Sequence, residues 1–128
     1  MTLYFFSSTV TGITSLAFTT TGISTVFDVK DGSLRERHLD PRSVGLARAR
    51  PSDLKGGDPT ESADLARRIL SGETGPRRDV VLLNAGAALE VAGFAADLTE
   101  GMATAARAID EGDALKTLDR WVEVSNAG

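Results

Sequence analysis

The chain has 128 residues, 41% of them hydrophobic and 25% charged, with 13 glycines and 4 prolines. That composition excludes a disordered polyampholyte and a collagen-like repeat, and a chain of this length folds as one domain that buries about two-thirds of its open surface. Fourteen basic residues against 18 acidic ones give a net charge of -4, which opposes a phosphate backbone and makes nucleic acid an unexpected partner. With no cysteine and a single histidine, His38, the chain has no disulfide framework, thiol nucleophile or His-based metal cage of its own. The cysteine count fits the cytoplasm.

The first 27 residues carry no charged side chain, and Thr and Ser supply 12 of them. Their longest purely apolar run is Leu3-Tyr4-Phe5-Phe6. That is too short for a membrane span, and neither the basic start nor the apolar centre of a signal peptide is present. This stretch reads as β-prone or disordered, and residues 1–22 are expected to form a divergent segment ahead of a domain over 23–128. Charge begins at Asp28. Asp31-Gly32, between the runs Thr25–Val29 and Leu34–Leu39, predicts an antiparallel hairpin, because those two residues tolerate the positive φ of a tight turn. Arg35, Glu36 and Arg37 suit a solvent-facing edge strand.

Residues 40–58 read as a connector rich in helix-start signals. Asp58 with Pro59 caps a helix that buries Leu65, Ile69 and Leu70, carries Arg67 and Arg68 in its last turns, and stops at Ser71-Gly72. Asp79 is expected to open a second helix through Ala92, apolar nearly all round and therefore the core element. A third, from near Asp97 to Glu111, turns Met102, Ala105, Ala106 and Ile109 inward. A fourth, from Asp113 to about Val124, carries a stripe of Leu115, Leu118, Trp121 and Val122. The architecture expected is α/β, a β-hairpin followed by about four helices.

Several residues invite a sharper reading. Gly56-Gly57-Asp58-Pro59 resembles a phosphate cradle at a helix start, but the Asp58 charge and the missing Pro59 donor favour a simple cap. Asn84, a lone amide in an apolar run, is expected to bond neighbouring backbone, and it joins Asp58, Pro59 and Asp79 as the structural capping set. Arg77 and Arg78 are expected to pair with carboxylates or water, His38 to be an ordinary surface residue, and Trp121 to anchor packing. Asp110, Glu111 and Asp113 read as a solvated turn and not as a calcium loop.

The series Ser24-Thr25-Val26, Asp31-Gly32, Leu54-Lys55-Gly56-Gly57-Asp58-Pro59, Gly75-Pro76-Arg77-Arg78-Asp79-Val80-Val81-Leu82-Leu83-Asn84-Ala85 and Ala108-Ile109-Asp110 resembles, in order and spacing, the C-terminal part of bacterial anthranilate phosphoribosyltransferases over roughly residues 18–123. The resemblance implies part of a larger α/β domain and, for the complete family enzyme, Mg²⁺-dependent transfer of phosphoribose from phosphoribosyl pyrophosphate to anthranilate in tryptophan biosynthesis. The family's Gly-Thr-Gly-Gly-Asp loop and Lys-His-Gly-Asn segment do not occur in this sequence. Its metal-binding Asp-Glu pair would fall at Leu16 and Ala17, which cannot serve as hard oxygen ligands. No catalytic, cofactor-binding or metal residue is therefore carried over, and no turnover by the isolated chain is expected. An uncovered apolar face predicts association with itself or with a complementary enzyme half. The alternatives are a non-catalytic docking module, a domain of the related nucleoside phosphorylases or of nucleic-acid-binding relatives, and the product of a truncated or misread gene.

Overall fold

The computed structural model describes residues 3–7, 18–30 and 32–127. Three strands form one sheet: β1 (Leu3–Ser7), β2 (Ser24–Lys30) and β3 (Ser33–Leu39), in that order. β2 and β3 make the expected antiparallel hairpin, with Lys30 opposite Ser33 and Ser24 opposite Leu39. Gly32 takes a φ of 76°, the left-handed turn geometry that favours glycine; Asp31 lies outside the described residues. β1 is an addition to the hairpin. It pairs in parallel with β2, Leu3 against Thr25 through Ser7 against Val29, so the sheet is mixed.

Two 3-10 turns, Pro41–Val44 and Pro51–Leu54, occupy the connector, and four helices follow: α1 (Pro59–Leu70), α2 (Pro76–Val91), α3 (Leu98–Asp110) and α4 (Asp113–Asn126). Asp58 precedes α1 and accepts from the Glu61 N–H at 2.9 Å, while Glu61 Oε2 accepts from the Asp58 N–H at 3.1 Å. This reciprocal box satisfies two helix-start donors, and Pro59 at the first helical position has none to satisfy.

α2 begins three residues earlier than the sequence suggests. Pro76 holds the first helical position after Gly75, whose φ of 125° breaks the preceding chain. Asp79 is therefore not the cap: it lies within the first turn, and its N–H donates to the Gly75 carbonyl at 3.0 Å. Asn84 is not a cap either, since it sits in the middle of α2. Proline's missing N–H makes position 76 as good a start as any polar residue, and this outweighs the aspartate signal further on.

The core has two parts that meet along α2 and α3. Phe18, Val26 and Leu39 pack with Leu83, Ala87, Leu98 and Met102, joining sheet to helices. Leu82, Ala105 and Ile109 form the second part, with Leu70 of α1 and Ala114 of α4 at its margin. α2 and α3 approach so closely at Gly86 and Gly101 that a Cβ on Gly86 would stand 2.6 Å from the Met102 nitrogen, and one on Gly101 would strike the Gly86 carbonyl. Only glycine lets two helix backbones meet in this way. α4 departs from expectation: none of its residues is buried, and Trp121 is 70% exposed. Its stripe is present but only partly covered: Leu115 and Leu118 are half-buried, whereas Trp121 and Val122 are exposed.

Candidate functional site

The threonine turn that leads into β2 is held by a set of side-chain hydrogen bonds. Asn84 holds its start from the middle of α2. The Phe18 N–H donates to Asn84 Oδ1 at 2.6 Å, and Asn84 Nδ2 donates to the Phe18 carbonyl at 3.0 Å and to the Val80 carbonyl at 2.8 Å. One amide side chain thus satisfies both peptide groups of residue 18 and one helix carbonyl, which pins the beginning of the turn against the core. Beyond it, the Thr21 N–H donates to Thr19 Oγ1 at 3.0 Å, and the Thr19 and Thr21 hydroxyls bond each other at 2.7 Å. The Thr20 carbonyl accepts from the Ala49 N–H at 3.0 Å. The Thr20 side chain is fully buried, and among the described residues its hydroxyl has no hydrogen-bond partner.

The chemistry of this donor set is limited. The turn offers the Thr19 and Thr21 hydroxyls, already committed to one another and to backbone, and a Thr20 side chain that is fully buried; the residues just ahead of it, Leu16 and Ala17, are apolar in sequence and outside the described residues. Magnesium demands hard, mostly anionic oxygen ligands in octahedral array. The turn does not fit that ion. What it can do is fix the position of a backbone segment with high precision.

The glycine segment at 56–57 is occupied from within. The Glu61 carboxylate, which accepts from the Asp58 N–H, lies against Gly57, so an anion there would meet a negative charge. A shallow depression of about 620 Å³ runs past Lys55, Gly57, Arg67, Arg68 and Arg77. Two of its cations are paired with carboxylates, Arg67 with Asp119 at 2.6 Å and Arg68 with Glu73 at 3.4 Å, while Arg77 donates to the Lys55 carbonyl at 2.8 Å.

The remaining singled-out residues do not gather at one site. Arg78 is buried, unlike a surface cation, and pairs with Asp110 at 2.8 Å, tying the start of α2 to the end of α3. Asp113 is engaged with Lys116 at 2.9 Å, so the acidic residues around Gly112 do not converge. His38 is exposed and lies 3.7 Å from Glu36. The Arg42 side-chain hydrogen bond holds the Asp40 carboxyl well below the usual carboxylate range, and Arg50 lowers Asp53 in the same way. Burial pushes Asp79 up, partly offset by the Arg78 charge. Burial also raises Glu90, where Arg37 opposes the rise and Asp28 and Asp97 add to it. The Phe18 to Asn84 clamp joins residues 66 apart. Its one sequence signal is the lone amide in an apolar helix, which marks Asn84 and not its distant partner.

A family model described as glycosyl transferase family, a/b domain, matches residues 6–115. The chain belongs to that family. It is 53% identical over 109 residues to the anthranilate phosphoribosyltransferase of Methylobacterium nodulans, a match that covers 85% of this chain and 32% of that protein. The Salinispora arenicola enzyme of the same name is 48% identical over 86% of this chain and 33% of its own length. Among solved structures, anthranilate phosphoribosyltransferase from Thermus thermophilus superposes with a TM-score of 0.66 at 38% identity, over 80% of this chain and 35% of that one. The Saccharomyces cerevisiae enzyme, in complex with 4-fluoroanthranilate, shares the fold at a TM-score of 0.76 and 23% identity, over 86% of this chain and 32% of that one. The chain thus spans about a third of the length of these relatives. Among the described residues, no helix is long and apolar enough to cross a membrane.

Proposed function

We propose that these 128 residues supply a scaffold portion of an anthranilate phosphoribosyltransferase, working in the cytoplasm, and that transfer of phosphoribose from phosphoribosyl pyrophosphate to anthranilate needs residues this chain does not carry. The reaction joins the anthranilate nitrogen to the anomeric carbon of the sugar and releases pyrophosphate. Its demand is for counter-charge on the departing group and for a pocket that presents the amine. The observation that carries the reading is the character of the threonine turn. The Thr19 and Thr21 hydroxyls are spent on internal bonds and the Thr20 side chain is fully buried, and no carboxylate side chain occurs among residues 1–27. The likeness to anthranilate phosphoribosyltransferases over most of this chain supports the choice of substrate class.

In this reading Asn84 and the helices hold the turn, and the turn positions what adjoins it. The test is a turnover assay of the purified chain with anthranilate, phosphoribosyl pyrophosphate and Mg²⁺, followed by loss of anthranilate fluorescence. The expected rate equals that of a protein-free blank. A protein-dependent rate that survives further purification overturns the reading.

A further inference from the structure

The single tryptophan of the chain, Trp121, stands exposed on α4. Helical spacing sets it on one face with Thr117 and Val124, both exposed, and these three line, with Lys116 and Arg120, an open depression of about 490 Å³. The other side of the helix is the one that packs. Ala114, Leu115 and Leu118 are half-buried there, Ala114 against the part of the core that holds Leu82 and Ile109, and Asp119 is drawn toward α1 by Arg67 at 2.6 Å.

An exposed indole beside an apolar neighbour marks a contact surface. The charges along its flank identify what it contacts. Lys116, Arg120 and Glu123 follow one another at about one helical turn, so the cations lie toward the start of α4 and the carboxylate toward its end. Their pairs within the chain, Lys116 with Asp113 at 2.9 Å and Arg120 with Glu123 at 2.6 Å, join exposed side chains and hold them weakly. A partner surface of one sign would be repelled at one end of this flank. A helix that carries the same series in the reverse direction satisfies both ends, and a second copy of the chain, turned about a two-fold axis, presents that helix. Packed in parallel, Lys116 would face Lys116 and Glu123 would face Glu123.

We propose that the α4 faces bearing Thr117, Trp121 and Val124 join two copies of this chain in an antiparallel dimer, with Lys116 of each copy beside Glu123 of the other. A two-fold axis between positions 119 and 120 makes both ion pairs at once. It also brings the two indoles to the same side of the axis, offset by three residues or about 4.5 Å along the helices, a spacing that suits stacked aromatic rings. Arg120, next to the axis, shares its Glu123 with the incoming Lys116. One helix face on each side falls below the roughly 1,200 Å² at which stable complexes begin, so the dimer is weak, with a dissociation constant on the order of 100 µM. At the dilution of an unfolding experiment the chain is a monomer and Trp121 is solvated. Neither turnover nor its absence bears on this contact, which stands apart from the functional reading.

Sedimentation velocity and tryptophan emission are followed together as the full chain is concentrated from about 5 µM to about 1 mM. The expected result is a transition from monomer to dimer with a matching blue shift of the emission, which Trp121 alone supplies. Trp121→Ala should raise the dissociation constant at least about tenfold. Phe94→Ser, which removes another strongly exposed aromatic ring, should leave it unchanged. Lys116→Glu and Glu123→Lys should each weaken self-association at least about threefold, because each sets like charges side by side at both ends of the contact. An equimolar mixture of those two variants should form a heterodimer at least as tight as the parent dimer, since both cross-pairs are then opposite in sign. Far-UV circular dichroism checks that every variant keeps its helices. A chain that stays monomeric over the whole range overturns the proposal. So does self-association that leaves the emission unmoved or survives Trp121→Ala, which would place the contact on another face. A mixture of the two charge variants that associates no better than either alone overturns the antiparallel pairing and with it the second copy as occupant.

Discussion

α2 and α4 are of similar length, 16 and 14 residues, and they use apolar side chains in opposite ways. α2 is apolar nearly all round and buries Leu82, Leu83, Gly86 and Ala87, as well as the Arg78 side chain. α4 concentrates its apolar residues on one stripe and buries none of them. An amphipathic stripe specifies a helix and the direction in which it would pack. Whether it packs depends on what the rest of the molecule brings to it, and α2 has α3 at glycine-to-glycine distance while α4 touches α1 and α3 only at its margin.

The sharpest way to break this contrast is at the closest approach. Gly101→Val drives a branched side chain into the Gly86 carbonyl and should cost on the order of 3 kcal/mol in urea unfolding. An unchanged midpoint would mean that the helices do not meet there. Next in size is Asn84→Ala, which removes the side-chain hydrogen bonds to the Phe18 peptide groups and to the Val80 carbonyl. A loss of about 2 kcal/mol is expected, together with faster hydrogen exchange at the Phe18 amide relative to the Ala87 amide. Equal exchange at residue 18 before and after the change would remove the clamp from the account of the turn.

Glu90 on α2 gives a smaller effect, visible through pH. Burial raises its carboxyl pKa in the folded chain, so the folded state holds that proton more tightly than the unfolded chain does. Its contribution to stability is present below the ordinary carboxylate value of 4.5 and declines as pH climbs from there through the raised folded value. Glu90→Gln should flatten that part of the Tm against pH curve relative to the parent chain; superimposable curves would contradict the assignment. The smallest effect belongs to α4. Trp121→Ala should change stability by less than about 0.5 kcal/mol, as for an exposed side chain, and a larger loss would show that the stripe is covered in solution.

Much of this architecture is legible in the sequence because its punctuation is local. Asp58-Pro59, Ser71-Gly72, Gly93 and Gly112 each act within a few residues, and they bound the helices as expected, to within a few positions. The exception is the start of α2, where Asp79 masks the proline three residues before it. What local punctuation cannot carry is contact between distant residues. The Phe18 clamp on Asn84, the burial of Arg78 by its pairing with Asp110 and the glycine contact between α2 and α3 all join parts of the chain brought together by packing. β1 is hidden for a related reason: an uncharged Thr- and Ser-rich segment supplies β propensity, but its parallel partner lies beyond the reach of any turn signal. Trp121 shows the converse failure, since helical spacing from Leu118 and Val122 marks a stripe without naming a cover. For the candidate site, residue types alone show that Leu16 and Ala17 cannot ligate a metal, whereas the bonding that uses up the Thr19 and Thr21 hydroxyls needs coordinates.

The central claim is that this chain contributes scaffold and not the groups that hold metal-bound diphosphate. Calorimetric titration of Mg²⁺ with phosphoribosyl pyrophosphate into the purified chain tests it most directly. Heats no larger than dilution are predicted; a saturable 1:1 isotherm abolished by a chelator would contradict it.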